Sequence, residues 1–506
     1  MNLTFVLLRV TWVVLGHVLQ ILALLTDMAV MSRQLKDLVA GVSEVVAREV
    51  HGDQNIFVTE ITHDSKNIST GCLFCCVVGE NVDGHKFAVD AANNGASAIL
   101  VERKLDIEVA QIVVDDVRTA MGYFAAEFFG RPSSKLKVIG ITGTNGKTTT
   151  AHLLASILRQ HGLTTAVFGT LSGARTTPEA TDLQRSLANE LERGSNAVVM
   201  EVSSHALSLH RVVGTRFAAT IFTNLGQDHL DFHETIDKYF SAKAKLFTPQ
   251  YTNKCIVNRD DHYGAKLIEI LNQEKEINLE TFGISDASQV VTEVDQLSFV
   301  WRGEKIQLVT GGNFNVMNAL AAANAAAKLG VATSDIAKGL AAADAIAGRF
   351  ESVSAGQNFG VVVDYAHTPE ALHNVLDATR KLITDSGRVI VVFGCGGDRD
   401  HQKRPRMGEV ASELADVVFI TSDNPRLEDA SVIAKQIEVG CNPALKKPIY
   451  VILDRRDAIA QAFSVACSGD IVVIAGKGHE STQTIGANEI EFNDVAVSRE
   501  LLKVAL

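Results

Sequence analysis

Residues 143–149 read GTNGKTT, which combines residue types that bind polyphosphate. They follow the apolar run KLKVIGIT and precede TAHLLASILRQHG, whose apolar spacing indicates a helix. Glycine lets backbone N–H groups approach phosphate, a helix N-terminus favours anions, Lys147 adds a cation, and the Thr148 hydroxyl can bind magnesium. The spacing departs from G-x-x-x-x-G-K-[ST], because Ile141 stands five residues before Gly146. The segment therefore predicts a variant phosphate-binding loop and a nucleotide site.

The elements that must position this loop indicate an α/β fold of three domains. Residues 31–117 alternate short apolar runs with Gly, Asn and Asp turns, which predicts a small α/β domain. In residues 118–347 strands alternate with helices around the loop, as in a P-loop ATPase domain with a parallel sheet. Residues 348–506 repeat this alternation and predict a Rossmann-like, doubly wound sheet. The polar motifs follow strands, where such sheets bind ligands.

Composition limits the class of function. The chain has 506 residues and a formal net charge of −12, which argues against a nucleic-acid binder. Its seven cysteines are irregularly spaced, so we expect no disulfide framework and a reducing, cytoplasmic environment. The pair Cys72 and Cys75 could begin a zinc site, but no second pair completes four ligands. We interpret these cysteines as core residues of a buried strand.

Residues 1–30 form an apolar extension. Residues 3–25 are long enough to span a bilayer, which takes about 20 residues. A membrane anchor and a start codon assigned upstream of the true one both explain this segment. We favour the second interpretation, because Met28 and Met31 follow and no other segment suggests a membrane. A chain that begins at Met31 is expected to be soluble and fully active.

Ten ordered motifs carry a resemblance to one enzyme family. They are TGTNGKTTT at 142–150, MEVSSHAL at 200–207, TNLGQDHLDFH at 223–233, YFSAKAKLF at 239–247, FNVMNALAA at 314–322, GRFE at 348–351, DYAHTPEAL at 364–372, FGCGGDRDHQKRPRM at 393–407, DNPR at 423–426 and GKGHE at 476–480. Together they resemble the Mur ligases, the ATP-dependent amide-forming enzymes of peptidoglycan synthesis, over residues 32–506.

Within that family the chain is most similar to the member that adds the third peptide residue. The resemblance implies that ATP phosphorylates the D-glutamate γ-carboxylate of UDP-N-acetylmuramoyl-L-alanyl-D-glutamate. The amine of meso-2,6-diaminopimelate then attacks the acyl phosphate, which gives the tripeptide, ADP and phosphate. Because two anions must meet, cations are needed to neutralise both.

The resemblance also implies the residues of the ATP and metal sites. The implied catalytic residues are Lys147, Glu201, His229 and Lys243. Two Mg²⁺ would be held by Thr148, Glu201, His229 and Lys243, the last as a carbamate formed with carbon dioxide. Otherwise His229 would be a solvated loop residue and Lys243 an exposed helix lysine, as we expect for Lys245. The implied ATP-binding residues are Gly143, Thr144, Asn145, Gly146, Lys147, Thr148, Thr149, Asn258, Asn315, Asn318, Arg349, Asp364 and His367.

Two further substrate sites are implied. The UDP-muramoyl dipeptide is expected between the first and central domains, at His63, Ser65, Glu80, Asn81, Val82, Arg175, Thr176, Thr177, Ser203, Leu209 and Arg211. Leu209 departs from the family member compared most closely, which has Gln there, and Arg175 stands where Asn is familiar. Diaminopimelate is expected at Arg399, Asp423, Asn424, Pro425, Arg426, Gly476 and Glu480. Arg426 would read the distal carboxylate as a bidentate clamp, and Glu480 would pair with the distal ammonium.

Three alternatives remain open. L-Lysine could replace diaminopimelate, although Arg426 argues against it. A folate-polyglutamate ligase shares the P-loop plan, but the predicted N-terminal domain argues against that branch. A membrane-tethered P-loop ATPase would account for residues 1–30 but not for the motifs after residue 348. We expect a monomer that binds these small molecules and neither nucleic acid nor membrane.

Overall fold

The computed structural model describes residues 32–42, 47–79, 82–173, 175–383 and 386–505. The apolar extension 1–30 and the predicted substrate residues Glu80 and Asn81 lie outside the described residues. No helix in these described ranges is long and apolar enough to cross a membrane. The chain divides into two compact units, one of Met1–Pro132, Glu179–Ala188 and His210–Thr215, and one of Ser133–Pro178, Asn189–Leu209 and Arg216–Leu506.

The first unit is built on a five-stranded sheet of order β2-β7-β6-β5-β4, in which only β2 is antiparallel to its neighbour. A separate antiparallel pair joins β1 to β3. The strands are β1 Arg33–Gln34, β2 Glu49–His51, β3 Phe57–Val58, β4 Glu60–Thr62, β5 Cys72–Cys75, β6 Ala98–Val101 and β7 Ala110–Val113. The helices are α1 Leu35–Gly41, α2 Ala88–Asn93 and α3 Val117–Phe128.

The second unit contains two six-stranded sheets, of which the first holds the phosphate-binding loop. That sheet is wholly parallel and has the order β13-β12-β11-β8-β10-β9. Its strands are β8 Lys137–Thr142, β9 Thr165–Phe168, β10 Ala197–Glu201, β11 Ala219–Phe222, β12 Lys254–Asn258 and β13 Asn278–Phe282. The accompanying helices are α4 Lys147–Gln160, α6 Ser204–Ser208, α7 Leu230–His233, α8 Ile236–Ala244 and α9 His262–Leu271. Helix α5, Ala180–Glu192, is divided between the units, with residues 180–188 in the first and 189–192 in the second.

An antiparallel sheet that the sequence analysis did not predict follows the parallel one. It has the order β14-β15-β16, with β14 Ser288–Thr292, β15 Leu297–Trp301 and β16 Glu304–Leu308. Two helices come next, α10 Phe314–Lys328 and α11 Thr333–Ala341. The Ala-rich face of α10 packs in one buried core with α4 and this sheet.

The second six-stranded sheet has the order β17-β18-β22-β19-β20-β21, and all its pairs are parallel except β17–β18. The strands are β17 Glu351–Ser352, β18 Gly360–Asp364, β19 Val389–Phe393, β20 Val417–Ile420, β21 Ile449–Val451 and β22 Ile471–Ala475, with a hairpin of β23 Thr482–Ile485 and β24 Asn488–Glu491. The helices are α12 Pro369–Arg380, α13 Lys403–Leu414, α14 Ala430–Gly440, α15 Arg455–Val465 and α16 Asp494–Ala505.

Burial explains why the parallel strands of both six-stranded sheets have continuous apolar sequences. Every residue of β10, β19 and β22 is buried, since helices cover both faces of a parallel sheet. Polar residues therefore appear where each strand ends. Glu201 ends β10, Asp364 ends β18, and the motifs at 394–400, 423–426 and 476–480 follow β19, β20 and β22. The fold thus gathers the chemically active residues at the carboxyl edges of two sheets.

The cysteines behave as the sequence analysis expects. All seven are free, and Cys72, Cys75 and Cys76 are buried in and beside β5. Burial raises the pKa of the Cys76 thiol to about 12, which keeps it protonated. The interpretation as core residues is confirmed by this burial.

Candidate active site

A cavity of about 390 Å³ lies within the second unit and brings the nucleotide motifs together. All the predicted ATP-binding residues line it except Gly143 and Asn315. The lining residues are Thr144, Asn145, Gly146, Lys147, Thr148, Thr149, Thr170, Thr176, Glu201, Ser203, Thr223, Asn224, Asp228, His229, Asn258, Phe282, Phe314, Met317, Asn318, Arg349, Asp364, Tyr365, Ala366, His367, Ala371, Asn374 and Val375.

The phosphate-binding loop is held in shape by the segment that follows β11. The Asn145 N–H donates to Oδ1 of Asn224 at 2.9 Å, and the Asn145 carbonyl accepts from Oγ1 of Thr223 at 2.7 Å. Gly146 has φ 84° and lies against the Asn318 side chain, which a Cβ would strike. A residue without a Cβ is therefore required at this turn.

Two lysines, the half-buried Lys147 and the buried Lys243, converge on one carbonyl of the loop. Nζ of Lys147 donates to the carbonyls of Gly143 at 2.9 Å and Thr144 at 2.8 Å, and Nζ of Lys243 donates to the Gly143 carbonyl at 2.8 Å. Burial lowers the pKa of both ammonium groups, and Lys147 lowers that of Lys243 further. Lys243 is 1% exposed on α8, whereas Lys245 is exposed. Lys243 is therefore not the surface lysine that the alternative interpretation required.

A chain of hydrogen bonds links several residues that line the cavity. Nη2 of Arg349 donates to Oγ1 of Thr148 at 3.2 Å, and Oγ1 of Thr148 donates to Oε1 of Glu201 at 3.0 Å. The Thr170 N–H also donates to Oε1 of Glu201, at 2.9 Å. The Arg349 guanidinium stacks over the Tyr365 ring at 4.4 Å from its centroid, which orients it. The loop, the end of β10 and the start of the C-terminal sheet thus share one polar network.

His229 also lines the cavity, beside Asp228, an acid that the sequence analysis did not single out. Its φ is 54°, its N–H donates to Oδ1 of Asp228 at 2.8 Å, and its Nε2 lies 3.4 Å from Oδ2 of Asp228. Burial lowers the pKa of His229 to about 4, although Asp228 opposes the shift. The imidazole is therefore neutral at pH 7, the form that binds metals. Its ring also meets the His205 ring edge-on at 4.8 Å.

Two further asparagines, Asn258 and Asn318, line the cavity, and a third, Asn315, supports it. Nδ2 of Asn258 donates to the Thr223 carbonyl at 2.7 Å, and Nδ2 of Asn318 donates to Oδ1 of Asn315 at 2.9 Å. Asn315 lies behind Asn318 and is anchored on the Gly311 carbonyl at 2.7 Å. Asn315 therefore does not line the cavity itself but holds the side chain of Asn318, which does.

Asp364 and His367 reach the cavity from the end of β18. The carboxylate of Asp364 accepts the N–H groups of Phe350 at 2.7 Å and Ala366 at 2.8 Å, and burial raises its pKa. Nδ1 of His367 lies 2.8 Å from the Tyr365 carbonyl, which fixes the proton on that nitrogen. Burial lowers the pKa of His367, so its Nε2 is an acceptor at neutral pH.

The residues predicted to bind the sugar nucleotide are divided between the two units. In the second unit Thr176 and Ser203 line the cavity, and Oγ1 of Thr177 donates to the Glu201 carbonyl at 3.0 Å. Arg175 is exposed and Leu209 half-buried.

In the first unit Nδ1 of His63 lies 3.1 Å from Oγ1 of Thr181, and Nη2 of Arg211 pairs with Glu179 at 2.8 Å. Ser65 is half-buried and Val82 is 48% exposed.

The predicted amino-acid residues form a second cluster outside this cavity, at the ends of β19, β20 and β22. Nδ2 of Asn424 donates to Oε2 of Glu480 at 2.8 Å, and a Cβ on Gly476 would contact the Asp423 carboxylate. Pro425 is buried next to Asn424. The cluster is therefore assembled from separate segments of the chain.

Two arginines rim the same cluster. Nη1 of Arg426 donates to the Gly397 carbonyl at 2.6 Å, and Arg399 is exposed beside Gly396. In the described part of the chain neither arginine pairs with a carboxylate. Two such guanidinium groups in the cluster that contains Glu480 suit a ligand that carries both carboxylates and ammonium groups.

Tyr365 connects the two sites and was missed from the sequence. Its ring lies under Arg349, and the His479 ring is 5.1 Å away. Burial raises the pKa of its hydroxyl to about 12, with further contributions from Glu480 and Asp423 of the second cluster. The only sequence signal for a site role of Tyr365 was its position between Asp364 and His367 in DYAH. A tyrosine at that position could equally be a core residue.

Comparison with known proteins identifies the class to which this fold and these sites belong. The family profiles described as "Mur ligase family, catalytic domain", "Mur ligase middle domain" and "Mur ligase, glutamate ligase domain" match residues 57–129, 141–326 and 348–478. The chain belongs to the Mur ligase family, ATP-dependent ligases that form amide bonds. The predicted α/β fold of three-domain Mur ligase architecture is confirmed.

Curated relatives extend the likeness over most of the chain. UDP-N-acetylmuramoyl-L-alanyl-D-glutamate–2,6-diaminopimelate ligase of Syntrophomonas wolfei is 41% identical over 469 residues, which is 88% of this chain and 95% of that protein. The ligase of the same name from Geobacillus kaustophilus is 41% identical over 484 residues, 90% of this chain and 96% of the relative.

Solved structures agree with the fold. A structure of a ligase with that same name superposes with a TM-score of 0.66 at 31% identity, over 92% of this chain and 99% of the other. The MurF ligase of Thermotoga maritima, solved in complex with ADP, has a TM-score of 0.59 at 20% identity and covers 88% of this chain and 96% of its own. The second likeness concerns the fold alone.

Proposed function

We propose that this protein catalyses the ATP-dependent addition of meso-2,6-diaminopimelate to the D-glutamate γ-carboxylate of UDP-N-acetylmuramoyl-L-alanyl-D-glutamate. The observation that carries the proposal is the hydrogen-bond chain from Arg349 through Thr148 to Glu201, inside the cavity that contains Lys147. It places two cations and an acid around one phosphate-binding loop. Those are the groups needed to bring a carboxylate against the γ-phosphorus of ATP.

The reaction is two displacements. A γ-carboxylate oxygen attacks the γ-phosphorus, and the bond to the β-phosphate oxygen breaks, which gives the acyl phosphate and ADP. The neutral amine of diaminopimelate then attacks the acyl carbon, loses one proton and expels phosphate as the amide forms. Lys147 and Arg349 hold the γ-phosphate oxygens and offset their charge. Thr176 and Ser203, beside Glu201 in the cavity, position the dipeptide end of the acceptor.

The residues at the end of β10 fit a magnesium ion. Oγ1 of Thr148 and Oε1 of Glu201 are 3.0 Å apart, and hydroxyl and carboxylate oxygens are the donors that Mg²⁺ prefers. Bound Mg²⁺ would offset phosphate charge and polarise the phosphorus–oxygen bonds. The described residues include no group of three or more His, Cys, Asp and Glu side chains that could hold a metal, so phosphate oxygens and water would complete the shell.

Lys243 is proposed to carry a carbamate that helps hold a second Mg²⁺ with His229. The amine would add to carbon dioxide and release one proton, which requires its neutral form, and burial favours that form. The modification would also relieve a charge conflict. Lys243 and Lys147 share the Gly143 carbonyl, and a carbamate would replace one of two like charges by an anion that attracts the other.

The second cluster is proposed to bind diaminopimelate. Arg426, with Arg399 beside it, pairs with the distal carboxylate, and Glu480 pairs with the distal ammonium. L-Lysine lacks that carboxylate and leaves the guanidinium without its partner. Asp423, Asn424, Pro425 and Gly476 form the surrounding wall.

We also propose how the chain divides its three substrates among its domains. Domains of 31–117, 118–347 and 348–506 would bind the sugar nucleotide, ATP and the amino acid. The protein is proposed to act as a monomer in the cytoplasm, where its seven free cysteines stay reduced. It would use small-molecule substrates only.

The test is substrate-dependent turnover. Purified protein is incubated with Mg²⁺, ATP, the UDP-muramoyl dipeptide and either meso-diaminopimelate or L-lysine, and ADP and tripeptide are measured. ADP release is expected only with the dipeptide and diaminopimelate together, with one tripeptide formed per ADP. ADP release that ignores either substrate would refute the proposal, and equal use of L-lysine would refute the substrate assignment.

A further inference from the structure

Lys477, in the GKGHE motif after β22, is a buried cation that the reaction described above does not use. Lys477 is 0% exposed, which is uncommon for a lysine unless its ammonium group is paired. Its ammonium group lies at the centre of the amino-acid cluster and not at the nucleotide cavity. A charge placed there must therefore be matched by the side chains around it.

The ammonium group has three acceptors, and two belong to proposed amino-acid ligands. Nζ donates to Oδ1 of Asn424 at 3.1 Å, to Oε2 of Glu480 at 2.9 Å and to the Thr482 carbonyl at 2.7 Å. An ammonium group has three protons and no acceptor, so these contacts use its full capacity. Lys477 thus joins the end of β20, the loop after β22 and the start of the β23–β24 hairpin.

These bonds fix which way the Asn424 amide points. Oδ1 of Asn424 accepts from Lys477 and from the Thr484 N–H at 3.0 Å. Since both partners are donors, the oxygen must face them. Nδ2 must then face Glu480, to whose Oε2 it donates at 2.8 Å.

The same bonds make the two oxygens of Glu480 unequal. Oε2 accepts from both Lys477 and Asn424. Among the described residues no donor is paired with Oε1. One oxygen is therefore committed to the protein, and the other remains for a ligand cation.

We propose that Lys477 is a positioning residue for the amino-acid substrate: it locks Asn424 and Oε2 of Glu480, and so reserves Oε1 of Glu480 for the distal ammonium. The inference rests on the proposed function and deepens it. Lys477 also affects specificity through charge. With Arg399 and Arg426 it gives the cluster three cations against the carboxylates of Asp423 and Glu480, a balance that favours the substrate with the extra carboxylate over L-lysine.

The test compares Lys477→Met and Lys477→Gln with the wild type. The matched control is Arg388→Met, which removes a cation paired with buried Asp470 at 2.6 Å, at the starts of β19 and β22 and away from the cluster. For each protein the melting temperature, kcat and the KM values for diaminopimelate, ATP and the dipeptide are measured. The ratio of catalytic efficiencies for diaminopimelate and L-lysine is measured as well.

Both Lys477 variants are expected to raise the KM for diaminopimelate by about tenfold or more, the loss that corresponds to one charge-assisted hydrogen bond. The KM for ATP should change less than about threefold, and the preference over L-lysine should shrink. Arg388→Met should lower the melting temperature without this pattern. In Glu480→Gln the further change Lys477→Met should add little, because Lys477 acts through Glu480.

Three results would overturn the inference. The first is an unchanged KM for diaminopimelate in folded variants, and the second is losses that multiply in the double variant. The third is failure of both variants to fold, which would make Lys477 a structural residue. An inactive wild type would refute the proposed function itself, whereas an active wild type with unaffected variants refutes the role of Lys477 alone.

Discussion

Replacement of Arg426 by alanine tests how the protein selects its amino acid. Arg426 is half-buried after β20, and its φ of 53° directs the chain into an unusual turn. Its Nη1 is anchored to the Gly397 carbonyl at 2.6 Å. In the described ranges no carboxylate pairs with it, so the ligand would supply its counter-ion.

The magnitude follows from this environment. A buried charge pair left half-made costs about 2–5 kcal/mol. Arg426 is only half-buried and keeps a carbonyl partner, so the lower end, about 2–3 kcal/mol, applies. Wild type should therefore prefer diaminopimelate over L-lysine by ~30- to 150-fold, at about 1.4 kcal/mol per decade. Arg426→Ala should lose most of that preference by losing activity on diaminopimelate.

The assay is the ratio of catalytic efficiencies for the two amino acids in wild type and variant. Arg456→Ala is the matched control, since that arginine is exposed in the same sheet domain and pairs with Glu500 at 2.6 Å. Its ratio should stay at the wild-type value. If wild type uses both amino acids equally, or if Arg426→Ala keeps the ratio, Arg426 does not read the distal carboxylate.

Three further predictions concern the nucleotide cavity and its surroundings. Lys147→Ala should lower turnover ~100- to 1000-fold, the usual effect of removing one preorganised charge. The control Lys137→Ala, at the exposed start of β8, should stay active. Near-normal turnover of folded Lys147→Ala would contradict the role of the loop. Lys243→Ala should be nearly inactive and partly restored by short carboxylates, whereas Lys245→Ala, at an exposed lysine two residues further on, should be normal. A carbon-13 NMR spectrum of active wild type in labelled bicarbonate at neutral pH that shows no lysine carbamate would contradict the idea. Burial lowers the pKa of His233 to about 4 in the folded protein, from about 6.5 in the unfolded chain. Between pH 6.5 and pH 4 the unfolded chain therefore binds one more proton at His233 than the folded protein does. The free energy of unfolding consequently falls as the pH drops from 6.5 to 4. His233→Gln should therefore flatten the decline of melting temperature over that pH range, and an unchanged slope would exclude His233 as its source.

Local sequence predicted the parts of the site that lie on one segment. Lys147 and Thr148 follow a strand and begin a helix, and DNPR follows β20, so their places at sheet edges could be deduced. The same holds for Glu201 at the end of β10. These predictions need only strand periodicity and the rule that parallel strands end at one edge.

Contacts between distant segments could not be deduced in this way. The bond that holds Asn145 to Asn224 joins residues 79 positions apart. Nothing in the local sequence GKGHE indicates that Lys477 is fully buried and hydrogen-bonded to Asn424, 53 positions away. The contact of Tyr365 with Arg349 and with the His479 ring likewise appears only in the folded chain. Polar burial depends on partners that tertiary structure supplies.

The central claim is that the protein activates a carboxylate by phosphoryl transfer before the amide forms. The direct measurement uses UDP-N-acetylmuramoyl-L-alanyl-D-glutamate labelled with oxygen-18 in the γ-carboxylate, together with ATP, Mg²⁺ and meso-diaminopimelate. An acyl phosphate leaves one labelled carboxylate oxygen on phosphorus, so the released phosphate should carry one oxygen-18 per tripeptide. Phosphate whose fourth oxygen comes from solvent water would show that ATP hydrolysis and amide formation are separate, and would contradict the account.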